Sequence, residues 1–366
     1  MNFQLRASLA LLISALALAV GISGAWATHE AGAAAPRSFF GLNNSYRPPT
    51  ASDATRIQNA GVGVFRRDLN WRTVEPRPPD ETGHHYDWRK YDAIFRRIAE
   101  RGVRVMPVIV TSPRWVRGTV QFPPQTEAEH RAFKAFVGAA VRRYGPRGSF
   151  WRGKSVSRSV RAWDWQIWNE PNLGQFWNNQ PDAREYARLL KAAGRAVHGA
   201  DPDARVIAAG VARDVGQDPR RFLGTLFSIN GVSSATDAFA IHPYGWNPRD
   251  VVTYLGQLRS ALAGTSGGSK PMWVTEIGWG TGGLATPMTV GGGWLGYRRQ
   301  AEYLREAYRE LLRVREAYRI RGAVWFNLND RRPGTYWFYN AGLFDVRGNA
   351  KPSWGAMRCV TAARMC

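Results

Sequence analysis

The stretch Trp165-Gln166-Ile167-Trp168-Asn169-Glu170-Pro171-Asn172 begins as an apolar, aromatic run of strand type and then abruptly presents Asn, Glu and Pro. A strand that ends in this way carries a carboxyl at its C-terminal edge. A second stretch, Met272-Trp273-Val274-Thr275-Glu276-Ile277-Gly278-Trp279, closes in the same manner. What the two strand ends mean depends on the number and order of the strands around them.

Working outward from residue 165 in both directions, short apolar runs alternate with stretches of helical period. Strands are expected at residues 39–43, 62–66, 103–110, 162–168, 204–209, 238–242, 272–276 and 322–326. Helices are expected at 51–60, 86–101, 126–144, 181–198, 219–229, 248–263 and 297–317, with a short last one at 353–359. Asn247 before Pro248 and Gln180 before Pro181 read as helix starts, and Gly61, Gly102 and Gly145 as helix ends. Strands alternating with helices imply a parallel sheet with crossover helices. The eight strands suit closure, so the expected fold class is α/β, a single (β/α)8 TIM barrel over residues 38–366. A doubly wound open sheet is the alternative, but no glycine-rich phosphate fingerprint follows the first strand.

A barrel of this kind assembles its site at the C-terminal ends of the strands. Glu170 closes the fourth and Glu276 the seventh, on opposite sides of the barrel, so their side chains can converge over the axis. Cleaving an acetal linkage needs one carboxylic acid to protonate the leaving oxygen and one carboxylate to attack or screen the oxocarbenium-like carbon. Carboxyls about 5–5.5 Å apart make the second a nucleophile and retain configuration, whereas about 6.5–9.5 Å leaves room for a water and inverts it.

With these motifs in place the chain resembles clan A of the glycoside hydrolases, whose members carry Asn-Glu-Pro after strand four and a second Glu after strand seven. The resemblance extends through Arg66-Arg67-Asp68-Leu69-Asn70-Trp71, His242-Pro243-Tyr244 and Trp325, about residues 38 to 358. Within the clan it is most similar to the family 39 and family 5 types, particularly in residues 168–172 followed by Phe176-Trp177. The resemblance implies retention, Glu170 as general acid/base and Glu276 as nucleophile. It also implies that Asn169 binds the substrate's 2-hydroxyl, that Arg66 lowers the pKa of Glu276, and that Tyr244 donates to the same carboxylate, with His242 beside them. Arg67 competes with Arg66, but strand alternation lets only one point inward, and the Arg-x-Asp-x-x-Trp spacing favours Arg66.

Sixteen tryptophans invite sugar stacking, since pyranose faces offer C–H groups to aromatic rings. Trp325 is the leading platform candidate, followed by Trp279 and Trp177, with Trp71, Trp115 and Trp246 behind them. His84-His85 reads as a loop feature and not as a metal pair, because no acidic or His partner stands at helical spacing.

Residues 1–27 carry one charge, Arg6, then an apolar run at 9–20 and small residues ending in Ala25-Trp26-Ala27, the pattern of a signal peptide. The run is too short for a comfortable membrane span, so a secreted or envelope-associated chain is expected, with an uncleaved anchor as the alternative. Residues 28–37 read as a flexible leader. The net charge of +22 invites an anionic partner such as an acidic polysaccharide, although all but six of the 50 basic residues are arginines spread along the chain, which equally fits compositional bias. No basic block or zinc-finger spacing supports nucleic acid. The only cysteines, Cys359 and Cys366, would pin the tail if they bridged.

These observations imply a monomeric glycosidase that takes an oligo- or polysaccharide and needs neither metal nor organic cofactor. Transglycosylation on the same site and a non-catalytic carbohydrate-binding barrel are the alternatives. The sugar is left to loops 173–180, 280–293 and 330–340, which carry no readable code.

Overall fold

A computed structural model describes residues 35–362 apart from 120, 179, 214–215, 284–294 and 333. The expected signal peptide, residues 28–34 of the expected leader, Cys366 and most of loop 280–293 lie outside the described residues. Cys359 is disulfide-bonded.

The strands are β1 (Phe40–Asn43), β2 (Val64–Asn70), β3 (Arg104–Val110), β4 (Asp164–Asn169), β5 (Arg205–Ala212), β6 (Ala238–His242), β7 (Met272–Ile277) and β8 (Ile320–Trp325). Each pairs in parallel with the next, and β1 closes on β8 through Phe40↔Ala323, Gly41↔Val324 and Leu42↔Trp325. The sheet is therefore a closed barrel, and the open doubly wound alternative falls. Around it run α1 (Ala51–Asn59), α2 (Trp71–Val74), α3 (Arg89–Ala99), α4 (Glu127–Tyr144), α5 (Ala183–Ala200), α6 (Pro219–Ser228), α7 (Pro248–Leu262), α8 (Gly296–Arg313) and α9 (Pro352–Thr361). None of the described helices is long and apolar enough to cross a membrane.

Local chemistry explains the helix starts. Thr50 with Asp53 and Thr126 with Glu129 form capping boxes that satisfy backbone donors reciprocally. Asn247 caps α7 ahead of Pro248, as its sequence suggests. The start expected at Gln180-Pro181 falls two residues later, because the Asp182 carboxylate accepts from Arg184 N and is the stronger cap. Arg37, assigned to the leader by composition, donates to the carbonyls of Gly61 and Gly102 and so belongs to the barrel.

The core has two layers, set by the period-two alternation of strand side chains. Phe65, Leu69, Val105, Ile109, Ile167 and Val206 face outward into a continuous apolar layer under the helices. Val64, Met106, Ile207, Ala238, Ala240 and Trp273 fill the barrel interior. Higher in the barrel the inward positions become polar and stay buried: Arg66, Gln166, His242, Thr275 and Glu276. β2 runs further than its hydrophobicity suggests, pairing with β3 as far as Asn70↔Val110. Its charged residues hid this extension, because Arg66, Asp68 and Asn70 occupy one face of a strand that continues into the site.

Candidate active site

Arg66 is 1% exposed and each of its three guanidinium nitrogens donates: Nε to Gln166 Oε1 at 3.0 Å, Nη1 to Glu276 Oε1 at 2.6 Å and Nη2 to Asn169 Oδ1 at 2.6 Å. Tyr244 donates its hydroxyl to Glu276 Oε2 at 2.8 Å. Both Glu276 oxygens are thus held before any ligand arrives. Arg67 turns outward from the barrel and donates to the carbonyls of Asn44 and Arg47, which resolves the competition between the two arginines as strand alternation requires. Because Asn169 accepts from Arg66 through Oδ1, its Nδ2 is left to donate.

Across the barrel, His242 Nδ1 lies 2.8 Å from Glu170 Oε1 and 3.6 Å from Glu276 Oε2, while its Nε2 reaches Thr275 Oγ1 at 3.1 Å. This ring position depends on Gly210, which sits at a register shift in β5. A β-carbon built at residue 210 would fall on His242 Nε2, so only glycine leaves the ring its place.

The end of β4 departs from regular strand geometry. Trp168 and Glu170 have φ of 68° and 47°, conformations that cost an L-residue about 1–3 kcal/mol each and that cluster at functional sites. Their effect is to break the alternation, so that three consecutive residues, Trp168, Asn169 and Glu170, line one cleft. Asn172 secures the following turn, donating to Ala212 O and Gln217 O and accepting from Ala212 N. The last residue of the motif is therefore structural.

The two carboxyls are tuned in opposite directions. Burial pushes Glu170 above its ordinary range, and the negative charge of Glu276 adds to this against the pull of His242 and Arg66. Burial acts on Glu276 as well, but His242, Arg66 and the hydrogen bonds from Tyr244 and Arg66 outweigh it and hold that carboxyl below its ordinary range. Donor atoms of Glu170, His242 and Glu276 all lie within 4.8 Å of one another, close enough to share a cation. Arg66 and Tyr244 already occupy Glu276, and His242 occupies Glu170, so the donor set is better matched to proton transfer and attack on an acetal carbon than to a metal.

The cleft has a volume of 360 Å³, and its aromatic lining includes Tyr46, Trp168, Phe176, Phe326, Trp337 and Phe338. The three tryptophans expected as platforms do not reach it. Trp325 and Trp279 are 0% exposed and Trp177 is 1% exposed, with indole N–H groups donating to Ala341 O, Gly245 O and Glu185 Oε2 respectively. Such large rings fill the space between barrel and helices, and for two of them it is the chain neighbour, Phe326 or Phe176, that lines the cleft. Trp246 is 59% exposed on the loop after β6. Trp71 is buried, bonded to Glu75 and stacked on Phe136. His84 and His85 are loop residues, engaging Glu75 at 2.5 Å and Asp80 at 2.9 Å. Sequence reading passed over Gly210, Tyr46 and Phe326, and it quoted Asp68 without a role. Of these only Asp68 left a signal, two residues beyond Arg66 on the same strand face.

A closed parallel barrel with a carboxyl at the ends of β4 and β7, and an arginine from β2 bonded to the second carboxyl and to the Asn before the first, defines the clan A class of glycoside hydrolase barrels. The model for the glycosyl hydrolase catalytic core matches residues 165–350, and that for glycosyl hydrolases family 39 matches residues 63–230. The chain belongs to the glycosyl hydrolase catalytic core family, and over residues 63–230 it is also similar to family 39. It is 31% identical over 90 residues to a β-xylosidase of Geobacillus stearothermophilus, a match spanning 25% of this chain and only 16% of that protein. It is similar in fold to a family 39 glycoside hydrolase from Bacteroides cellulosilyticus WH2, with TM-score 0.65 and 22% identity over 90% of this chain and 64% of the other. A monomeric β-xylosidase from Caulobacter crescentus CB15 is likewise similar, with TM-score 0.67 and 20% identity over 90% and 69% of the two chains.

Proposed function

We propose that the protein is a retaining glycoside hydrolase that cleaves β-O-glycosidic bonds of an extracellular or envelope saccharide by double displacement. The observation that carries this reading is the approach of a Glu170 oxygen to within 4.8 Å of a Glu276 oxygen, with the two carboxyls tuned apart. Such proximity supports the retaining arrangement, with carboxyls about 5–5.5 Å apart, over the inverting one at about 6.5–9.5 Å.

In the first step a Glu276 oxygen bonds to the anomeric carbon as the bond to the leaving oxygen breaks, and the Glu170 proton passes to that oxygen. Asn169 Nδ2 is available to the hydroxyl next to the anomeric centre. Once Glu276 is esterified its charge is gone, so the carboxylate of Glu170 becomes easier to keep ionised and can take a proton from water. The water oxygen then bonds to the anomeric carbon, the ester bond breaks and Glu276 leaves as the carboxylate. Residues 1–27 support export of the chain, and the named relatives make a β-xyloside or a similar neutral glycoside the first substrate to try.

The test is a digest of a polysaccharide and aryl β-glycoside panel, with the anomeric configuration of the first product read by proton NMR. Retained configuration is expected. Inverted product, or turnover by Glu276→Gln at the wild-type rate, would overturn the reading.

A further inference from the structure

Asp68 occupies the inward face of β2 between Arg66 and Asn70, partly buried, and lines the cleft together with Glu170 and Glu276. Among the described residues it makes no hydrogen bond and no ion pair. The polar neighbours on β2 point their bonds elsewhere: Arg66 donates to Gln166, Glu276 and Asn169; Arg67 to the carbonyls of Asn44 and Arg47; and Asn70 to Tyr91. A carboxyl withdrawn from water without donors is costly, and burial does push this one above its ordinary range against the fields of Arg66 and Arg67. Its partners must enter through the cleft.

The lining of that cleft also sets the sign of the charge it accepts. Among the described lining residues Asp68, Glu170 and Glu276 are acidic and none is Lys, Arg or His. This is the reverse of the chain as a whole, at net +22. A sugar bearing a carboxylate would add its charge to that of the ionised Glu276, beside two further carboxyls and in a partly desolvated space, where like charges repel far more strongly than in water. A neutral ring presents hydroxyl donors, and a carboxylate has acceptor capacity for two of them at once.

We propose that Asp68 is a specificity-determining residue, accepting hydrogen bonds from ring hydroxyls of the glycone beside Glu276 and setting the cleft against carboxylated sugars. The proposal rests on the hydrolase reading above and deepens it. It assigns the basic surface of the chain to some purpose other than recognition of the cleaved sugar.

The experiment compares wild type, Asp68→Asn and Asp68→Ala on 4-nitrophenyl β-xyloside, β-glucoside, β-galactoside and β-glucuronide. Thermal unfolding of each variant and binding of the piperidine iminosugar isofagomine by calorimetry accompany it. Wild type should favour the best neutral glycoside over the glucuronide by at least about a hundredfold, and both variants should lose roughly ten- to hundredfold in kcat/KM on that glycoside. The neutral-to-glucuronide ratio should narrow in both, with the unfolding midpoint of Asp68→Asn unchanged, a pattern that a merely structural role would not produce. Equal turnover of glucuronide and neutral glycosides by wild type, or both variants within about threefold of wild type, would overturn it. If wild type turns over nothing yet binds isofagomine in an Asp68-dependent manner, the hydrolase reading fails and the role of Asp68 stands. Isofagomine binding that is absent, or indifferent to both substitutions, sinks the role of Asp68.

Discussion

The ends of β4 and β8 carry similar sequences, Ile167-Trp168-Asn169 and Val324-Trp325-Phe326, yet present opposite faces. At β4 the left-handed backbone of Trp168 and Glu170 sends three consecutive residues into the cleft. At β8 no residue takes the left-handed backbone; Trp325 is buried against Trp279 and bonded to Ala341 O, and the cleft receives Phe326. An aromatic at a strand end therefore borders the cleft or forms a wall behind it according to one or two backbone torsions. Composition carries no record of which.

The largest effect should fall on the reacting ends. Glu276→Gln should lower kcat by at least about 10⁴-fold while leaving the unfolding midpoint in place, and Glu170→Gln should cost about 10²–10⁴-fold, less with a leaving group that needs no proton. Steady-state kinetics on an aryl and an alkyl glycoside separates the two, and equal losses on both substrates from Glu170→Gln would deny it the role of acid.

The contrast between cleft lining and wall is sharpened by a pair of truncations. Trp325→Ala should destabilise the fold by about 3–5 kcal/mol, measured by chemical denaturation, with KM little changed. Phe326→Ala should instead raise KM by roughly tenfold with a smaller loss of stability. The reverse assignment of the two effects would break the comparison.

Gly210→Ala should displace His242 from between the carboxyls and lower kcat/KM by roughly tenfold or more, with both pH limbs moved. A crystal structure of the variant with the ring unmoved would contradict the account of that contact. The smallest effect is on the wild-type profile itself. Glu276 must be ionised and is held below its ordinary 4.5, so activity should fall on the acid side only below pH 4.5. Glu170 must be protonated and is held above 4.5, so the basic limb should lie above it. Arg66→Lys, with fewer and less directed donors, should move the acid limb upward. An acid limb that stays in place would remove Arg66 as the tuning cation.

Much of the barrel was legible, because alternation of apolar runs with amphipathic stretches and the cap at Asn247 act locally. The positions of Glu170, Glu276, Arg66, Asn169, His242 and Tyr244 at strand ends could be read, and the structure brings all six together. Trp177, Trp279 and Trp325 could not be placed, since which face a ring turns to depends on the packing behind it and on torsions that no residue type encodes. The extension of β2 was hidden for a related reason: inward positions near the site are polar, so hydrophobic periodicity stops where the chemistry begins. Asp68 was visible as a letter, but its lack of a hydrogen-bond partner among the described residues exists only in three dimensions.

The fit of His242 against Gly210 has a meaning for descent as well as for chemistry. Two positions on neighbouring strands, 32 residues apart in the chain, behave as one heritable unit: a lineage that gains a side chain at the first must surrender the imidazole at the second, or rebuild the bulge between them. Aligned relatives should therefore show the two changing together, and a barrel found with alanine in one column and histidine in the other would have had to move its backbone first.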